Sequence, residues 1–216
     1  MIVVPLDSLL NIQEIRHILN ESQCKAIFIA ENFLNDLLAE QEDLKYLGKI
    51  ILLTRSSVQI EDYITLVEFY QDEEDLDWDT KGPGEEDIAV IIYTSGTTGN
   101  AKGVMLSHKN IMANVIAASK RFTIYANDVL LSVLPLHHTF EATAGLLVPL
   151  YNGATITYAT SLKSKELIRD IKESKTTIMV GVPLLFEKML NSIYGAVKKK
   201  PKPVHCWYFH PFEHRA

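Results

Sequence analysis

The sequence contains little cysteine and no long apolar run, and both shortages exclude whole classes of protein. Its two cysteines, Cys24 and Cys206, lie far apart in the 216 residues, so they indicate neither a disulfide framework nor a metal-ligand spacing. This usage fits a reducing compartment, and we expect a cytoplasmic protein. No apolar run approaches the roughly 18 residues that a membrane span requires. We therefore expect no spanning segment, while peripheral association with a membrane is left open.

Basic residues are too few for a nucleic-acid-binding surface. The formal net charge is −6, and the one basic cluster, Lys198 to Lys200 with Lys202, is typical of a solvated run. The hydrophobic fraction of 47% and the charged fraction of 22% are those of an ordinary soluble globular protein. A chain of this length can bury one substantial core.

Short apolar runs that alternate with helical patterns predict the α/β class. Asn11 opens a helix with a capping-box pattern that includes Glu14. A second helix is expected near residues 32–44. The apolar runs predict strands at residues 2–6, 25–30 and 49–53. Such alternation predicts layered sheets of parallel strands with flanking helices.

The helical and strand patterns stop after Tyr194. Beyond it the sequence is basic, broken by proline and without a period of either kind. We therefore expect a single fold over residues 1–197 and an atypical tail over residues 198–216 that lies outside it.

The most informative stretch is residues 88–103. Residues 88–93 read as a buried strand, and the ten residues that follow contain no large apolar side chain. This segment of residues 94–103, called the phosphate loop below, combines glycines that let backbone approach a ligand with hydroxyls and one cation, which is the chemistry that holds a polyphosphate. Its groups are Gly96, Gly99, Gly103, Thr94, Ser95, Thr97, Thr98 and Lys102.

Two other interpretations fit the phosphate loop less well. In the G-x-x-x-x-G-K-[ST] pattern of kinases and GTPases, Ala101 would stand for the second glycine and Gly103 for the hydroxyl residue that holds Mg²⁺. That mismatch disfavours a kinase or GTPase. A plain hairpin turn has a similar composition, but it seldom needs so many hydroxyls, glycines and a lysine together.

A second polar motif follows the apolar strand of residues 129–134. Pro135 ends that strand, and His137 and His138 come directly after it, where open α/β sheets place their ligands. Adjacent histidines point in different directions on most backbones, so at most one of them is expected to face a site. A hydrogen-bonded structural role is the alternative for His137.

These two motifs resemble those of the AMP-forming adenylating enzymes, which include acyl-CoA synthetases, firefly-type luciferases and the adenylation domains of peptide synthetases. T-S-G-T-T-G-N-A-K-G at residues 94–103 is similar to the family's phosphate-loop signature, although the family usually has proline where Ala101 stands. L-S-V-L-P-L-H-H-T-F-E at residues 131–141 is similar to its next core motif, in the form with Glu141 that long-chain fatty acyl-CoA synthetases show. The resemblance covers residues 2–195 and implies part of the family's large N-terminal domain.

The resemblance also implies roles for individual residues. Thr94, Ser95, Gly96, Thr97, Thr98, Gly99 and Lys102 would wrap the β- and γ-phosphates of ATP, with Lys102 neutralising charge on the leaving pyrophosphate. Thr97 or Thr98 would help to position Mg²⁺. His138 would orient the reacting carboxylate, and Phe140 would form a wall of the acyl pocket.

The function implied is that of a long-chain fatty acid–CoA ligase. A fatty acid would react with MgATP to give acyl-adenylate and pyrophosphate, and coenzyme A would then displace AMP. The family's later adenine, ribose and catalytic-lysine motifs do not occur in this sequence, so we expect an incomplete chain that is inactive alone. The alternatives are a non-catalytic fragment, a phosphate-binding module, or another adenylating enzyme such as a luciferase-like protein or a peptide-synthetase domain.

Overall fold

The computed structural model describes residues 1–53, 64–65, 69, 82–94 and 101–198. The chain divides into two compact units, Met1–Ala113 and Asn114–Ala216. Each unit contains strands flanked by helices, which confirms the predicted α/β class. None of the helices within the described ranges is long and apolar enough to cross a membrane.

The first unit contains a parallel sheet in the order β1-β2-β3. The strands are β1 (Ala26–Ile29), β2 (Lys49–Leu52) and β3 (Ile64–Thr65), and Ala26 pairs with Lys49. Alternate residues of β1 are buried, as expected for a strand with one face on a core. That core consists of Leu19, Ile27, Ile29, Leu34, Leu37, Leu44 and Leu52.

Helix α1 (Ile12–Glu21) begins where the capping-box pattern predicts it. The Glu14 N–H donates to Asn11 Oδ1 at 3.0 Å, and the Asn11 N–H donates to Glu14 Oε2 at 2.9 Å. Ile18 and Leu19 are buried on its inner face. The helix ends at Ser22, after which Gln23 adopts a positive φ of 53°.

Two elements of the first unit are shorter than the apolar pattern predicts. The second helix is broken into a 3₁₀ turn (Glu31–Phe33), helix α2 (Leu34–Ala39) and another 3₁₀ turn (Gln41–Asp43). The predicted strand at residues 2–6 forms only a single parallel bridge, between Val3 and Val90.

The chain then forms an antiparallel hairpin of β4 (Ile88–Thr94) and β5 (Lys102–Ser107). Helix α3 (His108–Arg121) follows β5 at once. Ser107 caps it, because the Asn110 N–H donates to Ser107 Oγ at 3.2 Å. The boundary between the two units falls within this helix.

The second unit contains a parallel sheet in the order β7-β6-β8, with β6 in the centre. Its strands are β6 (Val129–Ser132), β7 (Thr155–Tyr158) and β8 (Ile178–Met179). A helical segment over residues 139–151, α4, connects β6 to β7, and helices α5 (Ser164–Ser174) and α6 (Pro183–Lys198) follow the outer strands. Leu131, Val133, Leu167 and Leu185 form the core.

Helix α4 changes its winding within a few residues. Thr139–Glu141 and Val148–Tyr151 are α-helical, whereas Ala142–Leu147 between them is π-helical. Such π-turns are rare and occur often at functional sites. This one directly follows the predicted His138 motif.

Candidate functional site

Strands β4 and β5 hold the two ends of the phosphate loop. Thr94 and Lys102 are paired across the two strands, and Tyr93 pairs with Gly103. Both ends of the loop are thus held side by side. Ser95, Gly96, Thr97, Thr98 and Gly99 lie outside the described residues.

Lys102 is exposed at the end of this hairpin. Its ammonium makes no ion pair or side-chain hydrogen bond within the described part of the chain. A lysine whose charge is not used internally can bind an external anion.

Gly103 is closely surrounded by side chains of the neighbouring strand β4. A methyl group at this position would lie 2.8 Å from Ile91 Cγ2 and 3.1 Å from Tyr93 Cζ. The space next to its backbone is therefore occupied by the neighbouring strand's side chains. Gly103 is required for packing inside the hairpin.

The second motif forms a tight turn after β6 in the second unit. The His138 N–H donates to the Pro135 carbonyl at 3.1 Å, and the Ala142 N–H donates to the His138 carbonyl at 3.0 Å. His138 thereby caps helix α4 with extended backbone. The rings of His137 and His138 contact each other, with centroids 4.1 Å apart and a tilt of 49°.

The side chains predicted for the substrate pocket face outward from this turn. His138 is exposed, His137 is half-buried, and Phe140 is 58% exposed. Thr94 and Lys102 belong to the first unit, whereas His138 and Phe140 belong to the second. Each pair lies together within its own unit.

Glu141 is the buried member of the second motif, with 1% of its surface exposed. The Ser132 hydroxyl at the end of β6 donates to Glu141 Oε1 at 2.5 Å. Glu141 Oε2 has no hydrogen-bond partner among the described residues. A methyl group at Gly145, one π-turn further on, would overlap this carboxylate. Glu141 therefore joins the π-turn to the strand that positions His138.

A cavity of about 340 Å³ lies at the carboxyl ends of β6 and β7. This is the edge of a parallel sheet where α/β proteins bind ligands. Along the chain its lining extends to Leu136, which precedes His138 by two residues. Its lining is mostly apolar, with two serines: Ser132, Val133, Leu134, Pro135, Leu136, Tyr158, Ala159, Ser161 and Leu162.

A larger cavity of about 570 Å³ lies in the first unit, between α1 and the carboxyl end of β1. Leu6, Ile12, Phe28 and Phe33 contribute apolar walls, and Asp7 contributes a carboxyl group. None of the residues of the two sequence motifs lines it. The sequence does not predict this cavity, because its lining residues come from separate segments that only the fold brings together.

Comparison with known proteins identifies the class to which this fold and these motifs belong. The AMP-binding enzyme family matches residues 1–207, and the chain is a member of that family. The resemblance inferred from the two motifs is thereby confirmed.

Particular relatives are acyl-CoA ligases. The chain is 31% identical to the peroxisomal long chain acyl-CoA synthetase 7 of Arabidopsis thaliana, over 90% of this chain and 29% of that protein. It is 33% identical to the mitochondrial malonate–CoA ligase ACSF3 of Xenopus laevis, over 88% of this chain and 32% of that protein. The chain thus spans about a third of the length of these relatives.

Solved structures show the same fold at lower identity. An anthranilate CoA ligase, AuaEII, determined in complex with anthranoyl-AMP, matches with a TM-score of 0.76 and 22% identity. The match covers 86% of this chain and 36% of that protein. The chain therefore has the fold of a part of that ligase.

Proposed function

We propose that this chain is part of an acyl-CoA synthetase that activates a long-chain fatty acid. MgATP and the carboxylate would give acyl-adenylate and pyrophosphate, and coenzyme A would then displace AMP to form the thioester. The observation that carries the proposal is the family match over residues 1–207, joined to a phosphate-loop sequence whose two ends, Thr94 and Lys102, are paired across two strands. The domain assigned to residues 1–197, with a tail over 198–216, is part of the same proposal.

The phosphate loop is proposed to bind the β- and γ-phosphates of ATP. Its contributors would be Thr94, Ser95, Gly96, Thr97, Thr98, Gly99 and Lys102, with Thr97 or Thr98 helping to position Mg²⁺. Two observations support this assignment. The hairpin register places Thr94 beside Lys102, and the Lys102 ammonium is exposed. In the transfer step Lys102 would neutralise charge on the departing pyrophosphate.

His138 is proposed to orient the fatty acid carboxylate, with Phe140 as a wall of the acyl pocket. Support comes from the position of His138 at the carboxyl end of the central strand β6. An imidazole there can donate a hydrogen bond to a carboxylate or phosphate oxygen. The mostly apolar cavity beside it is suited to a hydrocarbon chain.

The choice of a long-chain substrate depends on Glu141. The H-x-F-E form favours long-chain fatty acids, whereas one relative is named a malonate–CoA ligase. Because Glu141 is buried against Ser132, it would influence substrate choice through the shape of the turn. A cytoplasmic location belongs to the proposal as well, although these two relatives are named as peroxisomal and mitochondrial proteins.

Equilibrium binding of MgATP to this chain tests the proposal. We expect Lys102→Gln to weaken binding about tenfold, since a charge-assisted contact to phosphate is lost. Lys109→Gln is the matched control, because Lys109 is an exposed lysine of the same unit that pairs with Glu86 at 2.6 Å. Equal affinities for both variants would contradict the proposed phosphate site.

Catalysis by the chain alone is a separate question. A phosphate-binding module without activity is the second candidate, and we expect no pyrophosphate exchange with palmitate or octanoate. Clear exchange with either acid would remove that candidate and show a competent enzyme.

A further inference from the structure

The cavity at the carboxyl ends of β6 and β7 has a buried end and an open end. Ser132 and Val133, at the end of β6, are 4% and 7% exposed, whereas Leu136 and Leu162 are 39% and 59% exposed. Leu136 precedes His138 by two residues. An elongated ligand with one end at His138 would therefore place its other end near Ser132.

Ser132 is the polar side chain at the buried end, and its proton is already used. A serine hydroxyl has one proton to donate and two lone pairs that accept. The Ser132 hydroxyl donates to Glu141 Oε1 at 2.5 Å. Toward the cavity it can then only accept a hydrogen bond, so a ligand atom that contacts it must be a donor or apolar.

Glu141 makes the surroundings of Ser132 unfavourable for an anion. Its side chain is buried, and its Oε2 has no hydrogen-bond partner among the described residues. Of the described residues that line the cavity, none is a lysine, arginine or histidine. A ligand carboxylate at this end would lose its hydration, gain no proton from Ser132 and meet no cation in the lining. Burial of a charge without such partners is costly.

Polar groups on the β7 side of the cavity are directed elsewhere. Thr160 directly precedes the lining residue Ser161, and its N–H and hydroxyl both donate to Asp170 at 2.8 Å. Arg169 Nη2 lies 3.1 Å from the other oxygen of this carboxylate. The hydroxyls of Tyr158 and Ser161 remain, and both residues are more exposed than Ser132. The buried end of the cavity thus lacks the groups that would hold an anion.

We propose that the Ser132–Glu141 pair is a specificity determinant that excludes acids with a second carboxylate from this cavity. The reacting carboxylate would lie toward His138, and only an uncharged tail would reach Ser132. The inference rests on the proposed function, which places the acyl chain in this cavity. It selects monocarboxylic acids over dicarboxylic acids of equal length.

Three acids of equal chain length test the proposal on the whole chain: octanoate, octanedioate and 8-hydroxyoctanoate. Calorimetry gives each Kd, and the amide chemical shifts of Leu134 and Leu136 show whether the acid lies in the cavity. We expect octanedioate to bind about a hundredfold more weakly than octanoate, because its second carboxylate is buried without a partner. 8-Hydroxyoctanoate should bind within about threefold of octanoate, since its hydroxyl can donate to Ser132.

Glu141→Gln separates specificity from structure. The variant keeps the size of the side chain and an acceptor for the Ser132 hydroxyl, but it removes the negative charge. We expect the ratio of the octanedioate Kd to the octanoate Kd to fall about tenfold, with the affinity for octanoate unchanged. Glu173→Gln is the matched control, because Glu173 is an exposed glutamate of helix α5 and the change in net charge is the same. It should leave the ratio unchanged.

The outcomes distinguish the specificity role from the proposed acyl site. Octanedioate bound as tightly as octanoate by the wild-type chain would overturn the specificity role alone. An unchanged ratio in Glu141→Gln, or an equal loss of both acids, would also overturn it, since the pair would then act only on structure. Rejection of 8-hydroxyoctanoate as strong as that of octanedioate would show that the cavity excludes every polar tail, against the proposal. If octanoate shifted neither Leu134 nor Leu136, the proposed acyl site would be wrong, and this inference with it.

Discussion

The two motif-bearing regions are held in place by different forces. In the β4–β5 hairpin most side chains are half-buried or exposed, and backbone hydrogen bonds join β4 to Val3. In the second unit, β6 is the central strand, and Leu130, Leu131 and Ser132 are buried. The hairpin is thus positioned by a few directional bonds, and the His138 turn by packing. Substitutions should therefore affect the two regions differently.

The largest effect is expected from Gly145→Ala in the π-turn. The added methyl group would overlap the Glu141 carboxylate, and Glu141 cannot move without breaking its bond to Ser132. Overpacking of this kind lowers the free energy of unfolding by about 3 kcal/mol. Urea unfolding followed by circular dichroism measures the change.

Gly195→Ala in helix α6 is the matched control for that substitution. A methyl group at Gly195 would meet no atom within 4 Å. Replacing a helical glycine by alanine should then raise the free energy of unfolding by about 0.5–1 kcal/mol. If Gly145→Ala were as stable as this control, packing around Glu141 would not be what holds the second motif.

Gly103→Ala should have a smaller effect on the hairpin. The methyl group would press on Ile91 and on the ring of Tyr93, but partly exposed strands can shift to relieve the contact. We expect a loss of about 1 kcal/mol in the free energy of unfolding, with faster amide exchange at Tyr93. Urea unfolding and hydrogen exchange provide the two measurements.

The control for the hairpin is Gly82→Ala, where a methyl group would meet no atom within 4 Å. It should leave both measurements unchanged. A loss at Gly103 as large as that at Gly145 would show that the hairpin is packed as tightly as β6, and the contrast between the two regions would fail.

Local patterns predicted the elements that depend on local chemistry. Asn11 and Glu14 form the predicted capping box at the start of α1. The His138 motif follows the central strand β6, as the apolar run of residues 129–134 predicts. In each case residues that are close in the sequence determine where the helix begins or the strand ends.

Contacts between residues distant in sequence were not predicted. Nothing local to Val3 indicates that its N–H donates to the Ala89 carbonyl. The motif with Glu141 indicated a substrate class, yet the side chain is buried against Ser132, because helix α4 turns back onto β6. Such contacts depend on the tertiary fold, and the spacing of residues along the chain does not predict them.

The smallest predicted effect concerns the pH dependence of the two units. In the second unit, Asp170 accepts hydrogen bonds from the Thr160 N–H and hydroxyl, both at 2.8 Å. These bonds, followed by Arg169, lower the pKa of the Asp170 carboxyl. The stabilisation is therefore complete above the unfolded-state pKa of about 3.9 and is lost as the pH falls through the folded-state value.

Tyr93 gives the first unit the opposite dependence. Its raised pKa of about 12 makes its contribution complete below a pH of about 10, and the contribution is lost as the pH rises through the folded-state value. The first unit should thus weaken on the alkaline side and the second on the acid side.

Asp170→Asn isolates the acid-side effect, since asparagine cannot supply the charge that Thr160 and Arg169 bind. We expect the variant to unfold at a lower urea concentration than the wild type at pH 6. The difference in urea midpoint should start to narrow below about pH 3.9 and should close as the pH falls through the lowered folded-state pKa, where the wild-type carboxyl gains a proton as well. Asp36→Asn, at an exposed carboxylate of the first unit, is the control and should unfold at nearly the same urea concentration as the wild type. A difference in urea midpoint between Asp170→Asn and the wild type that stayed constant from pH 6 to pH 2.5 would mean that the side chain acts by its shape alone. The proposed acid sensitivity of the second unit would then be wrong.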